Sequence, residues 1–105
     1  MNFCFVYITT KNKKEAEKIG EALVKEKLAV CVNIISPVNS IYRWKGKIEK
    51  AREALLIVKT KKSLAKKIIK KVKSMHSYEC PEIIFFSISG GSRDYLEWIK
   101  ENTKI

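Results

Sequence analysis

The sequence has few of the features that mark exported, disordered or membrane-spanning chains. Its 105 residues include only four Gly and two Pro, and 46% are hydrophobic, which favours a single domain over residues 1–105 with its own core. Cys4, Cys31 and Cys80 are widely spaced and odd in number, a pattern that favours reduced thiols over a disulfide framework or a zinc finger. The longest uncharged stretch, Leu28–Tyr42, is too short for a membrane span. Because the start also lacks a signal-peptide pattern, we expect a cytoplasmic location.

Acidic residues are scarce relative to basic ones. The sequence has 22 Lys and Arg residues against 11 Asp and Glu residues, and its net charge is +11. A charge of this size on a small protein suggests an anionic partner. Gln is absent while Lys, Glu and Ile are abundant, which resembles the composition of hyperthermophile proteins. We therefore expect a thermostable protein, which a melting midpoint within the ordinary mesophile range would contradict.

The pattern of apolar residues predicts a strand, a helix, two strands, a second helix, a last strand and a helical tail. Asn12 and Glu15 form a capping-box pattern before an apolar stripe. Lys45-Gly46 is typical of a hairpin turn, and Pro37 predicts a bend or bulge at Ser36–Asn39. The predicted strands are Phe3–Thr9, Leu28–Ile35, Ser40–Trp44, Ile48–Val58 and Glu82–Ile88; the predicted helices are Lys13–Lys27, one capped by Thr60 and ending at Met75, and one capped by Ser92 and reaching Ile99.

This order of elements predicts an α+β fold, the ferredoxin-like βαββαβ sandwich, with a long central hairpin and a C-terminal helix. In that fold the helices cover one face of an antiparallel sheet, so each strand should alternate apolar and polar residues. Leu28–Ile35 and Ile83–Ile88 are instead apolar at almost every position. Something must therefore cover the open face, either the tail helix or another copy of the chain, and we expect an obligate homo-oligomer.

The second predicted helix has seven lysines and no acidic residue between Lys61 and Lys73. A basic stripe of this kind is most often a solvated helix face whose long side chains cover apolar surface. It can also bind phosphate groups in a salt-dependent way. Phe3, Phe5 and Tyr7 on the first strand could stack bases, as in RNA-recognition domains, but the third strand has no aromatic residue to match them. We interpret the three aromatics as core or interface residues.

The sequence offers little for catalysis and somewhat more for metal binding. His76 is the only histidine, and no third group is placed to orient it against a cysteine, so nucleophilic catalysis is disfavoured. Thiolate and imidazole groups suit copper and zinc. Cys80 is four residues from His76, and Cys31 lies in a strand that could approach His76 in an assembled oligomer. Cysteines of this kind are more often structural and buried.

The segment His76–Glu82 is more polar than its neighbours and precedes a buried strand, which is typical of a loop at the edge of a binding site. Tyr42, Trp44 and Lys59 are further candidates for such a site. A tryptophan such as Trp44 is more often an anchor that packs against a partner subunit than a platform for a ligand.

Five longer segments match a known family in order and spacing across nearly the whole chain. They are EKLAVCVNI at 26–34, SIYRWKGKIE at 40–49, EALLIVKT at 53–60, HSYECPEII at 76–84 and YLEWI at 95–99. In these segments the chain resembles the CutA family of divalent-ion tolerance proteins. The resemblance implies a ferredoxin-like protomer in a PII-like homotrimer, a cytoplasmic protein without established catalysis that is linked to tolerance of copper or another divalent cation.

The resemblance also implies site residues near the subunit clefts. The ligand-binding positions that match are Tyr42, Trp44, Glu53, Lys59, Tyr78 and Glu79, and the metal-binding positions that match are Cys31 and His76. Two positions depart from the family pattern. Ser77 replaces a proline, which loosens the loop, and Cys80 replaces an aliphatic residue. We interpret Cys80 as a small buried hydrophobe rather than a third soft ligand.

The favoured interpretation is a trimeric, non-enzymatic protein of metal-ion response. The alternative is a ferredoxin-like module that binds nucleic acid or an anionic ligand through the lysine-rich second helix. A trimer whose partner is another protein is a third possibility. Salt dependence separates the first two, because phosphate binding weakens steeply with ionic strength and soft-metal ligation does not.

Overall fold

Four antiparallel strands and three α-helices make up the chain in a computed structural model that describes residues 2–104. The strand order in the sheet is β2-β3-β1-β4, as the ferredoxin-like prediction requires. No helix in this range is long and apolar enough to cross a membrane. The elements are β1 (Phe3–Thr10), α1 (Lys13–Lys25), β2 (Cys31–Trp44), β3 (Lys47–Lys61), a 3₁₀ turn (Lys62–Leu64), α2 (Ala65–Met75), β4 (Ile83–Ile88) and α3 (Arg93–Glu101).

The first helix begins as predicted and ends earlier than predicted. The Asn12 side chain accepts a hydrogen bond from the Glu15 N–H at 2.8 Å, and the Glu15 carboxylate accepts from the Lys11 N–H at 3.1 Å, so the capping pattern satisfies the first free N–H groups. At the other end Lys27 adopts a left-handed φ of 59°. The Leu28 N–H then donates to the Leu23 carbonyl at 3.0 Å, which closes the helix as a Schellman motif.

This closing motif also corrects the predicted start of the second strand. The sequence predicts a strand from Leu28, but β2 begins at Cys31. The N–H groups of Leu28 and Ala29 both donate to the Leu23 carbonyl of α1, so they are not available to a strand ladder. Both side chains are buried in the core, which explains why their apolar pattern resembles that of a strand.

The predicted role of Thr60 as a helix cap is wrong. Thr60 lies within β3 and is fully buried, and its Oγ1 donates to the Leu28 carbonyl at 2.6 Å. The second helical segment instead starts with the 3₁₀ turn, and neither this turn nor α2 has a side-chain cap. A threonine hydroxyl can serve either role, so the sequence pattern alone did not distinguish them. Ser92, by contrast, caps α3 as predicted, with the Tyr95 N–H donating to its hydroxyl at 3.5 Å.

The hairpin of β2 and β3 is long and extends away from the core. Lys45 and Gly46 at its tip both have positive φ, 50° and 79°, as a two-residue type I′ turn requires. The strand register shifts between Ile35 and Val38, which confirms the bulge predicted around Pro37. Every residue from 41 to 50 is exposed, so the outer half of the hairpin has no contact that buries it within one chain.

The core lies between one face of the sheet and the helices α1 and α2. Opposed residues of antiparallel strands point to the same face, and the register pairs Val6 with Val58 and Ile8 with Leu56. All four side chains are fully buried, together with Ile19 and Leu23 of α1 and Ile68 and Val72 of α2. We call this face the covered face of the sheet.

The opposite face is only partly covered. The alternate residues of β1 and β3 point to it, with Phe5 opposed to Lys59 and Tyr7 opposed to Ile57. In β4 the register places Ile84 and Phe86 on the same side, and their side chains are 47% and 43% exposed. Helix α3 packs on β3 and buries Ile99, but it leaves these residues accessible. We call this face the open face.

Candidate functional site

A polar cluster lies where the hairpin leaves the core, at the turn between α2 and β4. Helix α2 ends at Met75, and His76 follows in extended backbone, so the next residues run across the end of β1. The His76 Nε2 lies 2.7 Å from the Thr9 carbonyl oxygen, and the Tyr78 hydroxyl donates to the Glu53 carboxylate at 2.7 Å. Three residues predicted for the site, His76, Tyr78 and Glu53, are therefore brought together from two separate segments of the sequence.

The hydrogen bonds of His76 fix its neutral tautomer. The Tyr78 backbone N–H donates to Nδ1 at 3.1 Å, so Nδ1 is an acceptor and the ring proton lies on Nε2, where it is donated to Thr9. The imidazole and the Tyr78 ring also contact each other, with centroids 4.8 Å apart. Both ring nitrogens thus have partners within the chain, and a metal ion could bind either of them only by displacing one of these bonds.

Burial and the Glu53 carboxylate both raise the pKa of Tyr78, so this side chain remains a neutral phenol that donates a hydrogen bond. Glu53 itself is only 7% exposed. A buried carboxylate needs hydrogen-bond donors, and the Tyr78 hydroxyl is one. The pair ties the loop after α2 to β3 at the base of the hairpin.

Glu15 is part of this arrangement although the sequence indicated it only as a capping residue. Its carboxylate accepts from the Ser77 backbone N–H at 3.0 Å as well as from the Lys11 N–H. Burial acts to raise the pKa of Glu15, but the hydrogen bonds from Lys11 and Ser77 outweigh it and hold the pKa below its ordinary value. Thr9 and Glu82 also belong here, because the Thr9 hydroxyl donates to the Glu82 carboxylate at 3.2 Å. No sequence motif pointed to Thr9, and Glu82 was indicated only as the last residue of the polar segment His76–Glu82.

A second polar cluster lies on the open face. The register opposes Cys31 to Lys59 and Asn33 to Ile57. The Lys59 ammonium donates to the Asn33 side-chain oxygen, and its Nζ lies 4.0 Å from the Cys31 sulfur. Because Glu53 and Lys59 are six residues apart on β3, the two clusters are about 20 Å apart along the strand.

The proposed metal ligands Cys31 and His76 therefore do not meet within one protomer. Among residues 2–104 there is no group of three or more His, Cys, Asp and Glu side chains that could hold a metal ion. A site that uses both residues requires a second chain, and this part of the sequence analysis stays a prediction. Cys80 is exposed, so in the protomer its interpretation as a buried hydrophobe is wrong. The buried cysteine is Cys4, and burial raises the pKa of its thiol against the effect of Lys62.

The remaining predicted residues lie at the surface. Tyr42 and Trp44 are on the outer half of the hairpin, and both are exposed. The Lys45 ammonium lies over the Trp44 ring, 5.8 Å from its centroid, a cation–π contact. Glu79 is exposed in the loop after Tyr78. Tyr42 is near enough to the first cluster to contribute to the raised pKa of Tyr78, whereas no hydrogen bond among residues 2–104 joins the side chain of Trp44 or Glu79 to either cluster.

Comparison with known proteins gives consistent matches over nearly the whole chain. A family model described as CutA1 divalent ion tolerance protein matches residues 4–102. The chain is 45% identical over 98 residues to the "Divalent-cation tolerance protein CutA" of Thermus thermophilus, covering 93% of this chain and 95% of that protein. It is 43% identical over 99 residues to "Protein CutA, chloroplastic" of Arabidopsis thaliana, covering 94% of this chain and 54% of that protein.

Solved structures match equally well. The crystal structure of CutA1 from Oryza sativa superposes with a TM-score of 0.96 at 40% identity, covering 99% of this chain and 95% of that one. The chain spans about half the length of the curated plant relatives, 54% and 56%, and nearly all of the bacterial relative.

Proposed function

The chain belongs to the CutA1 divalent ion tolerance family, as its five sequence segments indicated, and from this membership we propose a non-enzymatic homotrimer that contributes to tolerance of divalent ions, copper among them. The observation that carries the proposal is the polar cluster of His76, Tyr78 and Glu53 at the base of an exposed hairpin. A cleft between two protomers at this position would bind a metal ion or a small ligand.

The open face supports assembly with further copies of the chain. Ile84 and Phe86 on this face are about half exposed. Ile41 and Ile48 are on the opposite side of the hairpin by strand register, and they are 70% and 66% exposed. Exposed apolar surface of this kind marks an interaction site, and a second copy of the same chain is the occupant that the family resemblance implies. Three protomers that bury these faces against one another would also give the exposed hairpin a neighbour.

Assembly is what would complete the metal site. Cys31 lies on the open face, and His76 lies at the far end of the sheet. In a closed ring of protomers, Cys31 of one chain could approach His76 of the next. Thiol and imidazole ligands suit copper. Because both ring nitrogens are already hydrogen-bonded, ligation by His76 requires that the bond to Thr9 or to the Tyr78 N–H is broken.

The other predicted ligand-binding residues surround the same region in this proposal. Lys59 provides a cation on the open face, and Tyr42 and Trp44 provide aromatic surface on the hairpin. Glu79 provides an exposed carboxylate beside Tyr78. We keep to a binding role rather than catalysis, because Cys31 and His76 are far apart within one chain and both ring nitrogens of His76 are hydrogen-bonded, which leaves neither free to accept a thiol proton.

A copper titration tests the site. Cu(I) and Cu(II) are titrated into the wild-type protein and into the His76→Ala and Cys31→Ala variants, with Cys80→Ala as the matched control because it removes an exposed thiol outside the proposed pair. We expect both site variants to lose the tightest binding step and Cys80→Ala to retain it. Unchanged affinity in both site variants, or a loss confined to Cys80→Ala, would contradict the proposed metal site.

A further inference from the structure

Helix α2 carries a row of lysines that the proposed metal-tolerance role does not use. We define the lysine ridge as the exposed lysines of the 3₁₀ turn and α2, which are Lys62, Lys66, Lys67, Lys70 and Lys73. There is no acidic residue anywhere between residues 54 and 78. Within residues 2–104 the one ion pair on this helix joins Lys71, outside the ridge, to Glu26 at 2.8 Å.

Internal packing does not account for the ridge. Ala65, Ile68 and Val72 of α2 are buried in the core against the sheet and α1, and Ile69 and Met75 are partly buried, so little apolar surface of the helix is left for lysine side chains to cover. Lysines four residues apart on a helix repel one another and oppose helix stability. An anionic partner outside the chain would offset this repulsion.

The ridge has the geometry of a phosphate-binding surface. Lys66, Lys70 and Lys73 are spaced i, i+4 and i+7, so they lie on one side of the helix, and the 11 residues of α2 extend over about 16 Å. At its N-terminal end the ridge adjoins an open cavity of about 390 Å³, lined by Asn2, Lys61, Lys62 and Ser63. Ammonium, amide and hydroxyl groups are the donors that bind backbone phosphates in protein–nucleic acid complexes.

The side chains of the ridge indicate which class of anionic partner fits it best. Helices that bind membranes insert an apolar face between lipids, but most of the apolar face of α2 is buried against the rest of the chain. Protein interfaces contain an apolar centre, which the ridge lacks. Its residues include no aromatic side chain on which unpaired bases could stack. We infer that the lysine ridge binds the phosphate backbone of duplex nucleic acid without reading its sequence, an activity separate from metal binding.

Salt dependence of binding tests this inference. A short random-sequence DNA duplex is titrated with the full chain between 50 and 200 mM salt. If four ridge lysines contact phosphates, affinity should fall about 150-fold over this range, because the slope of log affinity against log salt is about −0.9 per contact. The double variant Lys66→Gln/Lys70→Gln should lose only about 12-fold, since the slope is reduced by about two contacts. The matched control is Lys100→Gln/Lys104→Gln, which removes two exposed lysines elsewhere.

The outcomes distinguish binding through the ridge from binding through the total positive charge of the protein, and duplex DNA from other anions as the partner. The inference holds if the ridge variant has weaker binding and a flatter slope while the control retains the wild-type slope. It is overturned if both double variants change equally, since binding then reflects total charge alone. It is also overturned if the duplex does not bind, whether or not vesicles containing phosphatidylserine do. Circular dichroism melts of both variants establish that each is folded during the titrations.

Discussion

The two faces of the sheet are built from the same strands, yet only one of them is buried within the chain. On the covered face Val6, Ile8, Leu56 and Val58 are fully buried under α1 and α2. On the open face the residues between them in sequence meet solvent or the short helix α3. Because strand side chains alternate in direction, an apolar run gives both faces the same chemistry. The difference shows that one chain has enough helix to cover only one face, and we propose that further copies of the chain cover the second.

The open face nevertheless has two well-buried polar residues, Glu53 and Thr9, and both are at the candidate site. Glu53 has the same parity along β3 as Leu55 and Ile57. It is buried because the loop after α2 passes across the strand ends and places Tyr78 on it. The same loop is held on the helix side by Glu15 through the Ser77 N–H. The candidate site is thus the place where the two faces are joined.

The largest expected effect comes from placing a negative charge on one face of β4 or on the other. Phe86 points to the open face and Phe85 to the covered side of this edge strand, and they are 43% and 42% exposed. Phe86→Glu should dissociate the assembly, because a carboxylate buried against a second copy of the chain has no partner. Phe85→Glu should leave the assembly intact. Light scattering measures the mass, and a wild-type mass equal to one protomer of 12.1 kDa would refute the assumed assembly.

The next effect concerns truncation of adjacent residues on β3. Leu56→Ala opens a cavity in the buried core and should lower the free energy of unfolding by about 2–5 kcal/mol, at every protein concentration. Ile57→Ala removes a side chain from the open face. Its side chain is half-buried within one chain, so part of its effect is independent of concentration. The rest should grow with protein concentration, because it comes from contacts between chains. Urea unfolding at two concentrations measures both, and identical concentration dependence in the two variants would contradict the contrast.

Sequence patterns predicted the helix caps, the hairpin turn and the bulge, because these features depend on local signals. Asn12 and Ser92 were identified as helix caps, and both accept the expected hydrogen bonds. The hairpin turn at Lys45 and Gly46 and the bulge near Pro37 are also where the sequence placed them. Each of these features depends on backbone chemistry within a few residues, which a sequence displays directly.

The errors fall where a residue type has two physical uses. Lys27 adopts a left-handed conformation at a position where helices usually have glycine. Without a glycine to mark it, the end of α1 was predicted two residues too late. Thr60 could have been a cap and is a buried donor to Leu28. At the candidate site, the family resemblance indicated His76, Tyr78 and Glu53, but the contacts of Thr9 and Glu82 depend on residues 73 positions apart in sequence. No local pattern encodes such a contact.

A smaller effect is expected from loss of the hydrogen bond between Tyr78 and the buried Glu53 carboxylate. Tyr78→Phe leaves the buried Glu53 carboxylate without the donor that it has in the wild type, and it should lower the free energy of unfolding by about 1–3 kcal/mol. Tyr42→Phe removes the same hydroxyl from an exposed position and should change it by less than about 0.5 kcal/mol. A double-mutant cycle with Glu53→Gln isolates the pair, and a coupling energy of zero would show that the bond does not stabilise the fold.

The smallest effect concerns the link between the loop and the helix side, and it depends on pH. Hydrogen bonds from Lys11 and Ser77 hold the pKa of Glu15 below its ordinary value of 4.5, so the native state binds this proton less readily than the unfolded chain. The ionised carboxylate therefore stabilises the fold above pH 4.5, and this contribution is lost as the pH falls through the lowered native pKa. Glu15→Gln should remove that part of the acid sensitivity, whereas Glu17→Gln, which takes the same charge from the same helix, should retain it. Unfolding free energies measured across this acid range compare the variants. If Glu15→Gln and the wild type lose stability in parallel, then Glu15 does not tie the loop at the candidate site to the covered side of the sheet.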